Sequence, residues 1–127
     1  MVLFVSMDQI RATNPSGFVG VTQRIVYADG LMFQKVEAAS RIHLPIHKHP
    51  ESQLSFVLQG FIEIHVEKEQ NVFEKLECSQ GHVFWIPPNA LHDANIISET
   101  GAAWLSIYSP PRESYKPCAV KLGDIND

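Results

Sequence analysis

Phe61-Ile62-Glu63-Ile64-His65-Val66-Glu67 alternates apolar and polar residues with a period of two. Successive side chains of a strand point to opposite faces, so Ile62, Ile64 and Val66 share one face while Glu63, His65 and Glu67 share the other; the stretch predicts a half-buried strand. Similar short runs of β-branched and aromatic residues flank it, each closed by Gly, Pro or Asn, and no stretch of useful length has helical periodicity. The candidate strands are Arg24 to Tyr27, Leu31 to Glu37, Arg41 to His47, Gln53 to Leu58, Phe61 to Lys68, Val72 to Leu76, His82 to Ile86, His92 to Ile97 and Ala102 to Tyr108. Turns are expected at Ala28-Asp29-Gly30, Gln59-Gly60, Ser79-Gln80-Gly81, Pro87-Pro88-Asn89 and Glu99-Thr100-Gly101. So many short strands predict an all-β sandwich or double-sheet jelly roll.

The 127 residues suffice for one domain that buries roughly two thirds of its unfolded surface. We expect a single domain over 1–127 with a core of about 24–109, an N-terminal strand at Met1-Val2-Leu3-Phe4-Val5, and a C-terminal tail packed outside. After Ser109, Pro110-Pro111-Arg112 cannot continue a central strand, because proline donates no ladder hydrogen bond. A formal charge of −4 without a basic patch argues against nucleic acid. The apolar start lacks a basic leader and is too short for a signal peptide or a membrane span. Cys78 and Cys118 lack metal-finger spacing and are expected to be free thiols in a reducing compartment, the cytoplasm by default.

Immediately upstream of the alternating stretch stands His47-Lys48-His49-Pro50-Glu51-Ser52-Gln53, with Gly60 closing it; downstream, Gly81, Pro87, Asn89 and His92 form a second group. Strand alternation puts His47 and His49 on one face, and Gln53 rejoins that face after the Pro50-Glu51-Ser52 turn. His92 would arrive from a distant hairpin. Imidazole nitrogen suits zinc, nickel, copper or iron, and ligands from two hairpins leave positions open for water or substrate. Three neutral imidazoles and a neutral amide leave the full dipositive charge on an ion, which favours polarising a carbonyl over stabilising a ferric state. The competing interpretation of His-x-His alone is a solvated surface pair, with His92 a core histidine; the second group of residues in register argues against it. Glu51 is the competing ligand to Gln53 and fits the strand parity less well.

These residues resemble the two motifs of the cupin superfamily, G-x5-H-x-H-x3,4-E-x6-G and G-x5-P-x-G-x2-H-x3-N. Arg41 stands for the first glycine, Gln53 for the glutamate, Asn89 for the second-motif glycine and Ile96 for the last asparagine. A further likeness, over roughly Leu31 to Tyr115, is to small single-domain cupins of the KdgF, or pectin-degradation, type. It rests on Leu31-Met32, Lys35-Val36-Glu37, His47-x-His49-Pro50-x2-Gln53, Val57-Leu58-x-Gly60, Ile86-Pro87-Pro88-Asn89 and Tyr108-Ser109-Pro110-x-Arg112-Glu113. The resemblance implies a single-domain double-stranded β-helix holding a divalent metal (Zn, Ni, Fe or Mn) on His47, His49, Gln53 and His92. It also implies a pocket aromatic at Tyr108 and a carboxylate-binding arginine at Arg112. Members of that type open cyclic 4,5-unsaturated uronates, and relatives act in polyketide and other small-molecule pathways. The aspartate that such enzymes carry two positions before the pocket aromatic is Ser106 here, which has no carboxylate to act as the same base.

Among substitutes for that base, His43 lies about 13 Å from His47 along an extended chain, toward the barrel mouth. His65 shares a solvated strand face with Glu63 and Glu67, and His82 follows a turn glycine. Glu51, between the ligands, is the best placed carboxylate, either as acid or base or as a hydrogen-bond partner of a ligand. The expected function is a metal-dependent lyase, isomerase or cyclase acting on a small oxygenated, anionic substrate such as an unsaturated uronate or a keto or polyketide compound, with Tyr108, Arg112 and Glu51 as catalytic candidates. The alternatives are a non-catalytic binding or sensing protein and an oxygen-dependent dioxygenase. Partners are expected to be a small-molecule substrate and a second copy in a homodimer, since an exposed apolar strand such as Met1 to Val5 needs cover; neither membrane nor nucleic acid is expected.

Overall fold

The computed structural model describes residues 2–15 and 19–123. Ten strands form among the described residues: β1 (Val21–Ala28), β2 (Leu31–Ala38), β3 (His43–His47), β4 (Ser52–Gln59), β5 (Phe61–Glu69), β6 (Val72–Ser79), β7 (Val83–Ile86), β8 (His92–Ile96), β9 (Ala102–Ser109) and β10 (Val120–Lys121). A six-stranded sheet runs β10-β1-β2-β9-β4-β7 and a four-stranded sheet runs β3-β8-β5-β6, the double-sheet jelly roll that the alternation anticipates. No described helix is long and apolar enough to cross a membrane.

The two inner faces supply one core, with Ile62, Ile64 and Val66 of β5 meeting Val36, Val57, Phe84, Ile86 and Trp104 of the larger sheet. On β5 the burial follows the sequence alternation. On β4 it runs against it. Gln53, Ser55 and Val57 point inward, while Leu54 and Phe56 point to solvent. β9 repeats the inversion at its centre, with Trp104, Ser106 and Tyr108 inside and Ile107 outside. The register sets Gln53 opposite Tyr108 and Ser55 opposite Ser106, so the middle of the larger sheet carries a polar inner surface.

Glycine is required where β4 turns into β5. Gly60 has φ of 84°, and a Cβ there would run into the backbone of Gly101 and Ala102. The two motif positions without glycine keep the same backbone conformation: Arg41 and Asn89 both have φ of 63°, a region that asparagine tolerates better than most residues. The Asn89 N–H donates to the His49 carbonyl at 2.8 Å, tying the turn before β8 to the stretch between β3 and β4.

Several boundaries differ from the sequence expectation. Val2 to Val5 is not a strand, and Met1 lies outside the described residues. The sheet edge beside β1 is taken instead by β10, which pairs parallel through Val26 with Val120 and Tyr27 with Lys121, and the Val2 carbonyl accepts a hydrogen bond from the Gly123 N–H. The left-handed Arg41 delays β3 to His43. The tail does not lie wholly outside: Arg112, Tyr115 and Cys118 reach the cavity between the sheets.

Candidate metal centre and its cavity

His47 ends β3 and His92 begins β8, directly paired across the sheet, with their ring centroids 4.2 Å apart. His49 does not reach them by strand alternation. β3 ends at His47, its ladder slips between Leu44 and His47, and His49 is turned inward by the loop that leads to β4. Its ring lies 5.0 Å from that of His92, edge to face, and one ligand atom from each of the three imidazoles lies within 4.8 Å of the others. His49 and His92 are buried, and His47 stands at the mouth.

The three rings are oriented in the same way. His47 Nδ1 bonds the Pro45 carbonyl at 2.9 Å, His49 Nδ1 the Glu51 carbonyl at 3.0 Å, and His92 Nδ1 the Ala90 carbonyl at 2.9 Å. A carbonyl only accepts, so each Nδ1 carries the proton and each Nε2 presents a lone pair. Burial, followed by the field of Arg112, holds the His49 pKa below the ordinary histidine value. Burial takes His92 down to about 4. Both are therefore neutral at physiological pH.

Gln53 joins them from β4. Its Oε1 lies 3.1 Å from His49 Nε2, acceptor facing acceptor, because its Nε2 is turned away to donate to Ser55 Oγ at 3.1 Å and Ser106 Oγ at 3.4 Å. The two hydroxyls are themselves 2.7 Å apart and buried. A cation among these acceptor atoms would be held by all of them. Imidazole nitrogens with an amide oxygen fit a divalent transition metal, and backbone carbonyls behind the rings are the usual supports of such ligands.

Beside the cluster, Tyr108 packs edge to face on His49 at 5.6 Å and donates its hydroxyl to Gln34 Oε1 at 2.9 Å. Burial raises its pKa, so the phenol keeps its proton. The Arg112 guanidinium stacks over Tyr115, 4.0 Å from the ring centre, and its Nε is buried without a hydrogen-bond partner, 3.8 Å from Glu51 Oε1. Glu51 sits behind His49, its carboxylate 3.8 Å from Nδ1. With Arg112 Nε also 3.8 Å from its carboxylate, Glu51 is placed to orient His49 and Arg112.

Other histidines lie elsewhere. His43 bonds Asn95 at 2.6 Å near the surface, His65 bonds Asp93 at 2.8 Å, and His82 Nδ1 accepts the Ser79 N–H within a turn. Both cysteines are free thiols. Sequence reasoning missed Ser55, Gln34, Gln23 and Tyr115. The available signal was polar residues at inward strand positions, as in Met32-Gln34-Val36, where simple amphipathicity predicts apolar ones.

Residues 36–108 match the family model described as the cupin domain. Among solved structures, an RmlC-like cupin from Shewanella frigidimarina shares 26% identity over 88% of this chain and 94% of its own, with a TM-score of 0.72. KdgF from Halomonas sp. shares 24% over 88% of this chain and 96% of its own, with a TM-score of 0.73. Bacillus subtilis oxalate decarboxylase, in a structure concerned with its Mn(II) centres, shares 16% over 84% of this chain but only 29% of its own, with a TM-score of 0.74; it and KdgF show likeness of fold alone. No curated protein matches the chain.

A pH dependence follows from the desolvated imidazoles. Unfolded His92 has its ordinary pKa of 6.5, whereas the folded value is about 4, so the unfolded chain binds the extra proton between those limits. Its contribution to stability is therefore full above pH 6.5 and is lost as pH falls toward 4. Thermal melts of chelated protein should show Tm falling through that window, and His92→Gln should flatten the fall; an identical pH profile in the variant would contradict this.

Proposed function

The chain belongs to the cupin family, and from that premise we propose that it is a metal-dependent enzyme of the lyase, isomerase or cyclase kind. His47, His49, His92 and Gln53 would hold a divalent ion, and the substrate would be a small oxygenated anion. The observation that carries this reading is the set of unprotonated imidazole nitrogens, each ring fixed by a backbone carbonyl, converging with the Gln53 oxygen. A bound divalent ion supplies Lewis acidity toward a carbonyl or enol oxygen. Zinc, nickel, iron and manganese all suit these donors, and one structural neighbour has Mn(II) centres.

This chain's own residues supply the rest. Arg112 donates to the anionic group, with its buried Nε as the open donor. Tyr108, held protonated by burial, supplies a proton or a ring to stack on. Glu51 fixes His49 and Arg112. Ser106, spent on Ser55 and Gln53, offers no base from β9; that observation favours a second reading, a small-molecule binding or sensing protein without turnover. An oxygen-dependent reaction is less suited to a neutral ligand set, and an anaerobic assay separates it.

We also propose a homodimer in a reducing cytoplasm. The inverted strands leave Leu54 flanked by Ile107 and Trp85, and Phe56 beside Val83, on the outer face of the larger sheet. Among the described residues this apolar patch has no cover, and a second copy presenting the same patch would bury it.

The test of function is turnover of unsaturated uronates and of keto or polyketide compounds with and without chelator. Metal removal should abolish turnover, and re-adding one ion should restore it. Arg112→Ala should raise KM by roughly 10–100-fold, the worth of one or two charged hydrogen bonds. Turnover that survives chelation contradicts the metal-dependent reading, whereas tight metal-dependent binding with no product supports the sensing one. Light scattering should report a dimer that Trp85→Lys converts to monomer; a wild-type monomer contradicts the proposed pairing.

A further inference from the structure

The cavity that opens from the imidazole cluster has a volume of about 670 Å³ and extends between the two sheets well beyond the ligands. That is space for on the order of twenty water molecules, far more than one metal-bound carboxylate occupies. Its two ends differ in chemistry. At one end the imidazole nitrogens, Gln53 Oε1 and the Nε of Arg112, which has no hydrogen-bond partner, lie together. Most of the remaining wall is apolar, formed by Val36, Trp104, Ile62, Ile64, Phe84 and Ile86, all buried, with the Thr13 hydroxyl, which has no hydrogen-bond partner, beside Gln23 on the same cavity.

The glutamines on the larger sheet do not make the far end polar. Tyr108 donates to Gln34 Oε1 at 2.9 Å, Gln34 Nε2 donates to Gln23 Oε1 at 2.6 Å, and Gln23 Nε2 lies 3.9 Å from Cys118 Sγ. Asp93, which also lines the cavity, is bound to His65 at 2.8 Å. These groups bond mainly to one another, which leaves the buried Thr13 hydroxyl as the polar group without a partner on that part of the wall. A sugar acid, with a hydroxyl on nearly every carbon, would set those hydroxyls against Ile62, Ile64 and Phe84, and each unpaired one would cost about 1–3 kcal/mol.

From this division we infer that the ligand of the site is an oxyanion with an apolar body: a carboxylate with an adjacent carbonyl or enol at the metal end, and an aliphatic or aromatic portion of about six carbons filling the Ile, Val, Phe and Trp chamber. The inference rests on the metal reading for the head of the molecule and on the cavity wall for its body. Arg112 and the imidazole cluster select the charged head. The chamber selects against hydroxylated bodies, so unsaturated uronates are poor ligands.

Binding of a homologous series to the metal-loaded protein tests this by calorimetry. The series is pyruvate, 2-oxobutanoate, 2-oxohexanoate and 2-oxooctanoate, with phenylpyruvate and an unsaturated galacturonate alongside. Burial of a methylene is worth about 2.5- to 4-fold in affinity, so the five methylenes separating pyruvate from 2-oxooctanoate should tighten binding by about a hundredfold to a thousandfold. Val36→Thr, nearly isosteric, should reduce that span several-fold with its circular dichroism unchanged. A series flat to within about threefold, or a galacturonate bound more tightly than 2-oxooctanoate, overturns the inference. The same titrations after chelation keep the two readings apart: a slope that survives metal removal retains the apolar chamber and overturns the metal-bound head, whereas metal-dependent binding with no slope does the reverse.

Discussion

Three backbone carbonyls, of Pro45, Glu51 and Ala90, decide what this molecule can do. Each takes the proton-bearing nitrogen of one histidine and leaves the other nitrogen bare, and the jelly roll brings the bare nitrogens together from β3, the loop after it and β8. Desolvation then keeps His49 and His92 from relieving the crowding of lone pairs by protonation. Such a site is suited to a cation, which would offset the crowding of the bare nitrogens.

The same logic extends to the sheet around the cluster. Inverting the usual parity on β4 and β9 places Gln53, Ser55, Ser106 and Tyr108 on the inside. The cost is that Leu54, Phe56 and Ile107 are pushed outside. The polar inner surface holds the Gln53 oxygen toward the histidines and its nitrogen toward the two serines. The outward row leaves an exposed apolar surface among the described residues. The polar inner face and the apolar outer face are thus two consequences of one register.

The alternation of Phe61 to Glu67 made one half of the sandwich legible, because β5 lies at the middle of a sheet with one wet face and its burial follows hydrophobicity. The histidine spacing made the meeting of two remote hairpins legible. It did not reveal how His49 arrives: a slipped ladder and a loop do what regular alternation was expected to do. The inversion on β4 was legible only at Gln53, the expected ligand. Hydrophobicity alone would turn Leu54 and Phe56 inward, and the partners of Gln53 and Ser55 reverse that choice. The tail was opaque too, since Arg112 and Tyr115 follow a proline pair and reach the cavity through tertiary packing with no periodicity of their own. Val2 to Val5 misled in the opposite sense, being strand-like in composition but beside an edge that β10 already fills.

X-ray absorption at the metal edge, on protein purified without added metal and then loaded with one equivalent of a single divalent ion, addresses the central claim directly. The account predicts one tightly held ion per chain in a shell of three imidazole nitrogens completed by oxygen, with the imidazole signature diminished in His49→Ala. Failure to retain any ion, or an oxygen-only shell unaltered by that substitution, would contradict it.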